Sequence, residues 1–452
     1  MWISVIMYLY NLFFILLLPI LLLRFLFKSL KLKTYRHRLT ERLGIFKLPK
    51  DSNLNSKFIW IHAVSVGEIM AAIPVINKLK TQLPKISIIL TCTTPRGSEI
   101  IQQKLAQLVI HVYFPLDISF AINNFLTKIK PILLIIIEKE LWPNLIWHCK
   151  KHKIPIIIIN AQLSNKSFNK YLLINPLIKP LLTSVKKICT QTKFDAYKFK
   201  QLLPKESHNN IIITGNIKFD IAIENKNLNN NNGNSNIDLI NKQNTAIWIA
   251  ASTHPIEENL ILKAHQLILN KIPNTILILV PRHPERINLI IKEILKFNFT
   301  YQQHSLHSIS IKPFINPEFN AQIYLVDSVG ELNKFYQISQ AAFVGGSLIP
   351  NIGGHNVLEP AALALPIAIG PYTANCQQIV TNLRSRNGLK IVKNPEELAQ
   401  QMIAWLKNKE LRLTIGNNAR NYLIKESGVS DKIIKIIYGF LPLCVGVGCS
   451  SV

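Results

Sequence analysis

With 452 residues the chain is too long for one ordinary core, and two domains with attachments are expected. Its formal net charge of +27 is spread through every segment without an aromatic-interleaved basic motif, which argues against a nucleic-acid-binding protein and fits attraction to anionic headgroups or to a phosphorylated substrate. The six cysteines form no Cys-x-x-Cys pair, which argues against structural zinc and fits reduced thiols.

Trp2 to Leu23 is almost continuously apolar and uncharged, long enough to cross a hydrocarbon core of roughly 30 Å as a helix. No basic residue precedes this run and no small-residue cleavage site follows it, so residues 1–30 read as a membrane anchor and not as a removed signal peptide. The flank carries Arg24, Lys28, Lys31, Lys33, Arg36, Arg38 and Arg42, and the positive-inside rule keeps it in the cytoplasm. A spanning helix and one lying in a single leaflet both fit. Either places the protein at the inner membrane with its bulk on the cytoplasmic face.

The first domain is expected over residues 31–222. Phe58 to Val64 reads as a buried strand, Ser65-Val66-Gly67-Glu68 as its exit loop, and Ile69, Ala72, Ile73, Ile76 and Leu79 as one face of the following helix. Further strands are expected at Ile86 to Thr91, Val109 to Phe114, Ile132 to Ile137, Ile154 to Ile159 and Ile211 to Ile213, with helical stretches between them. That alternation predicts a mainly parallel sheet whose strand exits feed one crevice. Glu68 at such an exit is a candidate general base, and equally a residue that favours a helix start. Glu138-Lys139-Glu140 follows the Ile132 strand, where buried acids are costly unless they serve a pocket or pair with cations.

Residues 223–244 are asparagine-rich and aperiodic, and read as a linker. The second domain, expected over 245–440, repeats the βα pattern with strands at Ala246 to Ala251, Thr275 to Val280, Gln322 to Val326, Ala341 to Val344 and Leu365 to Ile369. Pro281-Arg282-His283-Pro284-Glu285-Arg286 ends one strand; Arg282 offers a planar fork to phosphate or carboxylate, and His283 alone reads as readily as a packed turn residue. Val329-Gly330-Glu331 puts a glycine and an acid at a helix start. The organising stretch is the strand Ala341 to Val344, the loop from Gly345-Gly346 to Gly353-Gly354-His355, and a helix expected from Asn356 with Glu359 one turn in. Such a helix start offers free N–H groups to an anion. The tail, residues 441–452, has no reading.

Gly353-Gly354-His355-Asn356-Val357-Leu358-Glu359-Pro360-Ala361 resembles the donor half of two-domain GT-B glycosyltransferases, and most closely the 3-deoxy-D-manno-octulosonic acid (Kdo) transferases. Ile61 to Ile69, Glu138 to Pro143, Thr214 to Asp220, Pro281 to Arg286 and Asp327 to Leu332 match that family's motifs in order, with Lys139 for a Thr, Val329 for a Met and Val357 for a Pro. The resemblance implies two Rossmann-like domains facing a cleft, and transfer of Kdo from CMP-Kdo to the lipid A precursor. It further implies Glu68 as general base, Glu138 as support for the transition state and Lys218 as the stabiliser of the departing phosphate. CMP-Kdo would be held by Pro281, Arg282, His283, Val329, Gly330, Glu331, Asn356, Val357, Leu358 and Glu359, with Glu140, Gly354 and His355 as further candidates. With no Asp-x-Asp motif, no metal and no other cofactor are expected; one base-assisted displacement inverts the sugar. The expected partners are CMP-Kdo, the glycolipid acceptor and membrane lipids, with no nucleic acid. Another GT-B nucleotide-sugar transferase, a GT-B-like sugar-nucleotide epimerase and a non-catalytic nucleic-acid-binding protein are the rival readings.

Overall fold

The computed structural model describes residues 38–49, 57–229, 245–306 and 321–441, with scattered helical positions between residues 5 and 27. The expected linker is outside the described residues apart from its first few positions, and the tail apart from Leu441. Two compact units emerge: Met1–Ile221 with Ser427–Val452, and Ala222–Glu426.

The first unit contains one parallel sheet built from β1 (Phe58–His62), β2 (Ser87–Cys92), β3 (Ile110–Tyr113), β4 (Leu133–Ile137), β5 (Ile156–Ala161), β6 (Lys187–Thr190) and β7 (Ile211–Ile213). Its strand order is β3-β2-β1-β4-β5-β6-β7. The chain builds outward from β1, returns, and continues on the other side from β4, so the topological switch lies between β1 and β4, where ligands of such sheets bind. Alternate residues point to opposite faces: Ile59 and Ile61 join one apolar cluster, Phe58 and Trp60 the other. Both faces are covered, so β1, β4 and β5 are buried throughout. That is why they read as unbroken apolar runs. Each large aliphatic side chain so buried contributes roughly 1.5–3 kcal/mol relative to exposure.

The second unit repeats the plan with β8 (Ala246–Thr253), β9 (Thr275–Pro281), β10 (Tyr301–Gln303), β11 (Ile323–Leu325), β12 (Ala341–Val344), β13 (Ile367–Ile369) and β14 (Leu389–Ile391). All are parallel, in the order β10-β11-β9-β8-β12-β13-β14, with the switch between β8 and β12.

Two expectations are corrected. The last helix, Val429–Tyr438, belongs to the first unit and not to the second domain of residues 245–440. Its Ile433, Ile434 and Ile437 pack in the same cluster as the helix Val66–Gln82, and the Asp220 carboxylate accepts N–H bonds from Gly428, Val429 and Ser430 at its amino end. The helix expected from Asn356 is one short turn, Leu358–Ala362, because Pro366 and β13 follow almost at once. Among the described residues no helix is long and apolar enough to cross a membrane; much of the expected anchor, residues 1–30, lies outside them.

Candidate functional site

In the first unit the acids gather at the switch. Glu68 leaves the end of β1 in the first turn of the helix Val66–Gln82, and Glu138 leaves the end of β4. Ser65 caps the helix, its Oγ accepting from Glu68 N at 3.3 Å. The Glu68 carboxylate reaches back, taking Val64 N–H at 2.6 Å and Ser65 O–H at 3.0 Å. Glu68 therefore serves its helix start, bonding the Val64 N–H and the hydroxyl of the capping Ser65, and it is also a buried carboxylate beside other acids. Burial, and after it the charges of Glu140 and Glu138, push its pKa up to about 7, against the pull of the Val64 N–H.

Glu138 stands at φ 64°, a left-handed backbone unusual for a residue with a Cβ, held by its N–H bond to Ile159 O at 2.9 Å. Backbone held in this way is common at working sites. Burial raises its pKa, opposed first by Lys218 and then by Lys139. Burial likewise raises Glu140, against the charge of Lys139, with Glu138 adding to the rise. Thus Glu68, Glu138, Glu140 and Lys218 form one electrostatic cluster. Lys139, where the resembled family has Thr, supplies a local positive charge that lowers both neighbouring acids.

Lys218 is exposed and begins the helix Lys218–Asn229. Sequence reasoning missed the residue that holds its loop: Asn160, fully buried at the end of β5, accepts Ile217 N–H at 3.1 Å. The only local signal was an Asn closing an isoleucine run. Beside the carboxylates, Tyr171 donates to Lys139 O at 3.2 Å and ties in the helix Asn165–Leu173, which has no buried residue. Leu172, Leu173 and Ile174 stand exposed at its end, near Lys166 and Lys170.

In the second unit, segments after β8, β9 and β12 meet. His254 and His355 stack with their planes 6° apart and their Nε2 atoms 2.8 Å from each other, and His283 stands edge-on to His254. Burial, then the neighbouring charges of His254, Arg282 and His283, lower the His355 pKa to about 4. Glu359 is raised by burial, against a hydrogen bond from Asn356 and the charge of Arg282. Arg282, His283, His355, Asn356 and Glu359 therefore belong to one cluster, with His254 as the member that sequence reasoning missed. Arg282 supplies its positive charge while His254 and His355 are held toward their neutral forms, a set of donors suited to a phosphate or carboxylate.

Glu331 sits in a separate cluster after β11. Hydrogen bonds from Ser328, Lys334 and His304 hold its pKa down at about 2, against burial. Val329 beside it is exposed, and Gly330 adopts φ 94° with open space where a side chain would be. Pro281 closes β9, and the side chains of Val357 and Leu358 are fully buried, so these two serve the core and can meet a ligand only through backbone. The loop after β12 also differs from the expected anion cradle: the N–H groups of Gly346, Ser347 and Leu348 are taken by the Glu257 carboxylate, and Leu358 N–H by Asn356 Oδ1. Among the described residues no group of three or more His, Cys, Asp or Glu side chains could hold a metal ion.

Residues 37–221 match a family model described as 3-deoxy-D-manno-octulosonic-acid transferase, and residues 244–422 match glycosyl transferases group 1. The chain is 37% identical to the 3-deoxy-D-manno-octulosonic acid transferase of Haemophilus influenzae, over 91% of this chain and 93% of that one. It is 33% identical to a probable mitochondrial 3-deoxy-D-manno-octulosonic acid transferase of Arabidopsis thaliana, over 87% and 86%. The solved UDP-GlcNAc 2-epimerase from Neisseria meningitidis superposes with a TM-score of 0.58 at 15% identity, covering 85% of this chain and all of that one, and shares the fold.

Proposed function

The chain belongs to the 3-deoxy-D-manno-octulosonic acid transferases and transfers Kdo in lipopolysaccharide synthesis; from that premise we propose that its donor is CMP-Kdo, its acceptor the lipid A precursor, and Glu68 the base that joins them. The observation that carries this reading is the cluster of Glu68, Glu138, Glu140 and Lys218 at the β1/β4 switch. A carboxylate whose pKa stands near 7 is poised to take a proton at neutral pH, which an ordinary surface glutamate is not.

In the proposed reaction the acceptor hydroxyl oxygen bonds to the anomeric carbon of Kdo, and its proton passes to Glu68. The bond from that carbon to the phosphate oxygen of CMP breaks, and the electron pair leaves with CMP. Positive charge growing on the sugar is met by Glu138, and negative charge growing on the phosphate by Lys218. A single displacement inverts the anomeric centre. We propose that no metal takes part, so that a chelator leaves the rate unchanged. The buried base suits a site that holds its nucleophile out of bulk water.

The lipid acceptor is supported by the helix Asn165–Leu173, whose exposed Leu172 and Leu173 lie among lysines next to the carboxylate loop, a surface that matches acyl chains below a phosphorylated headgroup. We propose in addition that residues 1–30 attach the chain to the inner membrane with both units on the cytoplasmic face. Incubation with CMP-Kdo and tetraacyl lipid A precursor, with the mass of the products measured, tests the reading. A mass increase of one or more Kdo residues is expected; an unchanged acceptor beside converted or intact donor would refute it.

A further inference from the structure

The stretch Ser252-Thr253-His254-Pro255-Ile256-Glu257-Glu258, which the motifs did not single out, underlies the whole donor cluster. Glu257 has no exposed surface and opens the helix Glu257–Leu269. One carboxylate oxygen accepts from Gly346 N–H at 2.7 Å and His254 N–H at 3.3 Å, the other from Ser347 N–H at 3.0 Å and Leu348 N–H at 2.9 Å. An internal anion therefore fills the nest of N–H groups that a glycine loop would otherwise offer a ligand. The close approach explains Gly345: a Cβ there would stand 2.7 Å from Glu257 Oε2 and 2.8 Å from Ser252 O.

What the carboxylate holds is connected to the ligand-facing groups. Gly346 O accepts Gly354 N–H at 2.7 Å, and a Cβ on Gly346 would strike the His355 ring, so the pinned loop sets where His355 stands. The adjacent Glu258 grips Arg286 with two bonds of 3.1 and 3.2 Å, and Thr253 O accepts Arg282 N–H at 3.0 Å, fixing the segment after β9 against the same strand exit. One strand end, β8, thus registers the two loops that carry Arg282, His283 and His355.

We infer that Glu257 is a positioning residue for the nucleotide-sugar site, acting through the Gly345–Leu348 loop on His355 without touching the donor. The inference rests on the donor reading above. Its test uses the full chain, with CMP as the binding probe and CMP-Kdo in steady-state kinetics. Glu257→Gln keeps the shape but turns one acceptor oxygen into an amide facing N–H donors. The CMP Kd and the KM for CMP-Kdo should rise at least about tenfold, as loss of charge-assisted bonds predicts, while kcat changes less than about threefold because the chemistry of the first unit is untouched. Amide exchange should quicken in peptides covering residues 345–348, and Glu257→Asp, which keeps the charge, should recover part of the affinity. If the Gln variant fails to fold, the same KM-against-kcat split is read on the Asp variant. A lower melting temperature with unchanged KM and CMP affinity, or a loss confined to kcat, overturns the inference. A wild-type chain that binds no CMP overturns the donor reading, and this assignment with it.

Discussion

The raised pKa of Glu68 makes a prediction about rate. The carboxyl has an ordinary value of 4.5 and stands at about 7, chiefly through burial and secondarily through Glu140 and Glu138. Only the ionised form can accept the acceptor's proton, so kcat/KM should climb with pH through an apparent pKa near 7 and level off above it, with about half the full rate available at neutrality. The neighbours give the profile a handle. Glu138→Gln removes a like charge, so the limb should move to lower pH even as the maximal rate falls. Glu68→Ala should lower kcat by about 10²- to 10⁴-fold across the range, since no second carboxylate is held by the same cap. The assay is radiolabelled Kdo transfer to lipid A precursor in buffers from about pH 5 to 9, with single-turnover traces to ensure that chemistry is being read. A flat profile under single turnover, or a Glu68→Gln enzyme that keeps its rate, would sink the assignment of the base.

Three further outcomes follow from individual contacts. Lys218→Ala should reduce kcat by about 10²- to 10³-fold and raise the Glu138 pKa further by removing the first charge that opposes its burial; an unchanged kcat in pre-steady-state transfer would remove Lys218 from the phosphate. Asp220→Asn weakens the three N–H bonds that hold the start of the last helix and should lower stability by about 1–2 kcal/mol in urea denaturation, with early exchange in the peptide spanning residues 427–438. Ile256 stands at φ 74°, ψ −43° with its side chain 73% exposed, a strained β-branched position with little packing to lose, so Ile256→Gly should gain roughly 1 kcal/mol; a fall in melting temperature contradicts that.

Strands buried on both faces were legible because nothing interrupts their apolar runs. Leu133–Ile137 and Thr275–Pro281 stand within a residue or two of where the sequence puts them. The strands that escaped, Lys187–Thr190, Tyr301–Gln303 and Leu389–Ile391, are three or four residues long and carry lysine or glutamine. The two in the second sheet are its edges, where one side needs no apolar residue. The acids after β1 and β4 were legible through their motifs. His254, Asn160 and Glu257 were not, because each acts through a partner distant in sequence: Glu257 binds Leu348, 91 positions on. The allegiance of the last helix escaped for the same reason, resting on Asp220, 208 positions before Gly428.

Two carboxylates, Glu331 and Glu68, differ in what solvates them, and the difference can be tested by stability. Glu331 receives enough hydrogen bonds that its ionised form is favoured in the fold, down to a pKa of about 2. Glu68 receives too few to offset burial, so its ionised form is disfavoured, with the pKa at about 7. The signs follow from proton linkage. Between pH 4.5 and about 7 the native Glu68 keeps a proton that the unfolded chain has lost, so its contribution makes stability fall as pH rises through that window and stay low above it. The displacement corresponds to on the order of 3 kcal/mol. Glu331 does the reverse: its stabilisation is full above the ordinary value of 4.5 and is lost as pH falls toward about 2. Glu68→Gln should therefore equal wild type in urea denaturation near pH 4 and exceed it at pH 8, while Glu331→Gln should be the weaker protein at pH 8 and converge with wild type in acid. A Glu68→Gln chain less stable than wild type at pH 8 would mean that the capping bonds to Val64 and Ser65 outweigh the buried charge. Glu68 would then be chiefly a structural cap, and the case for a carboxylate held at a cost for catalysis would fail.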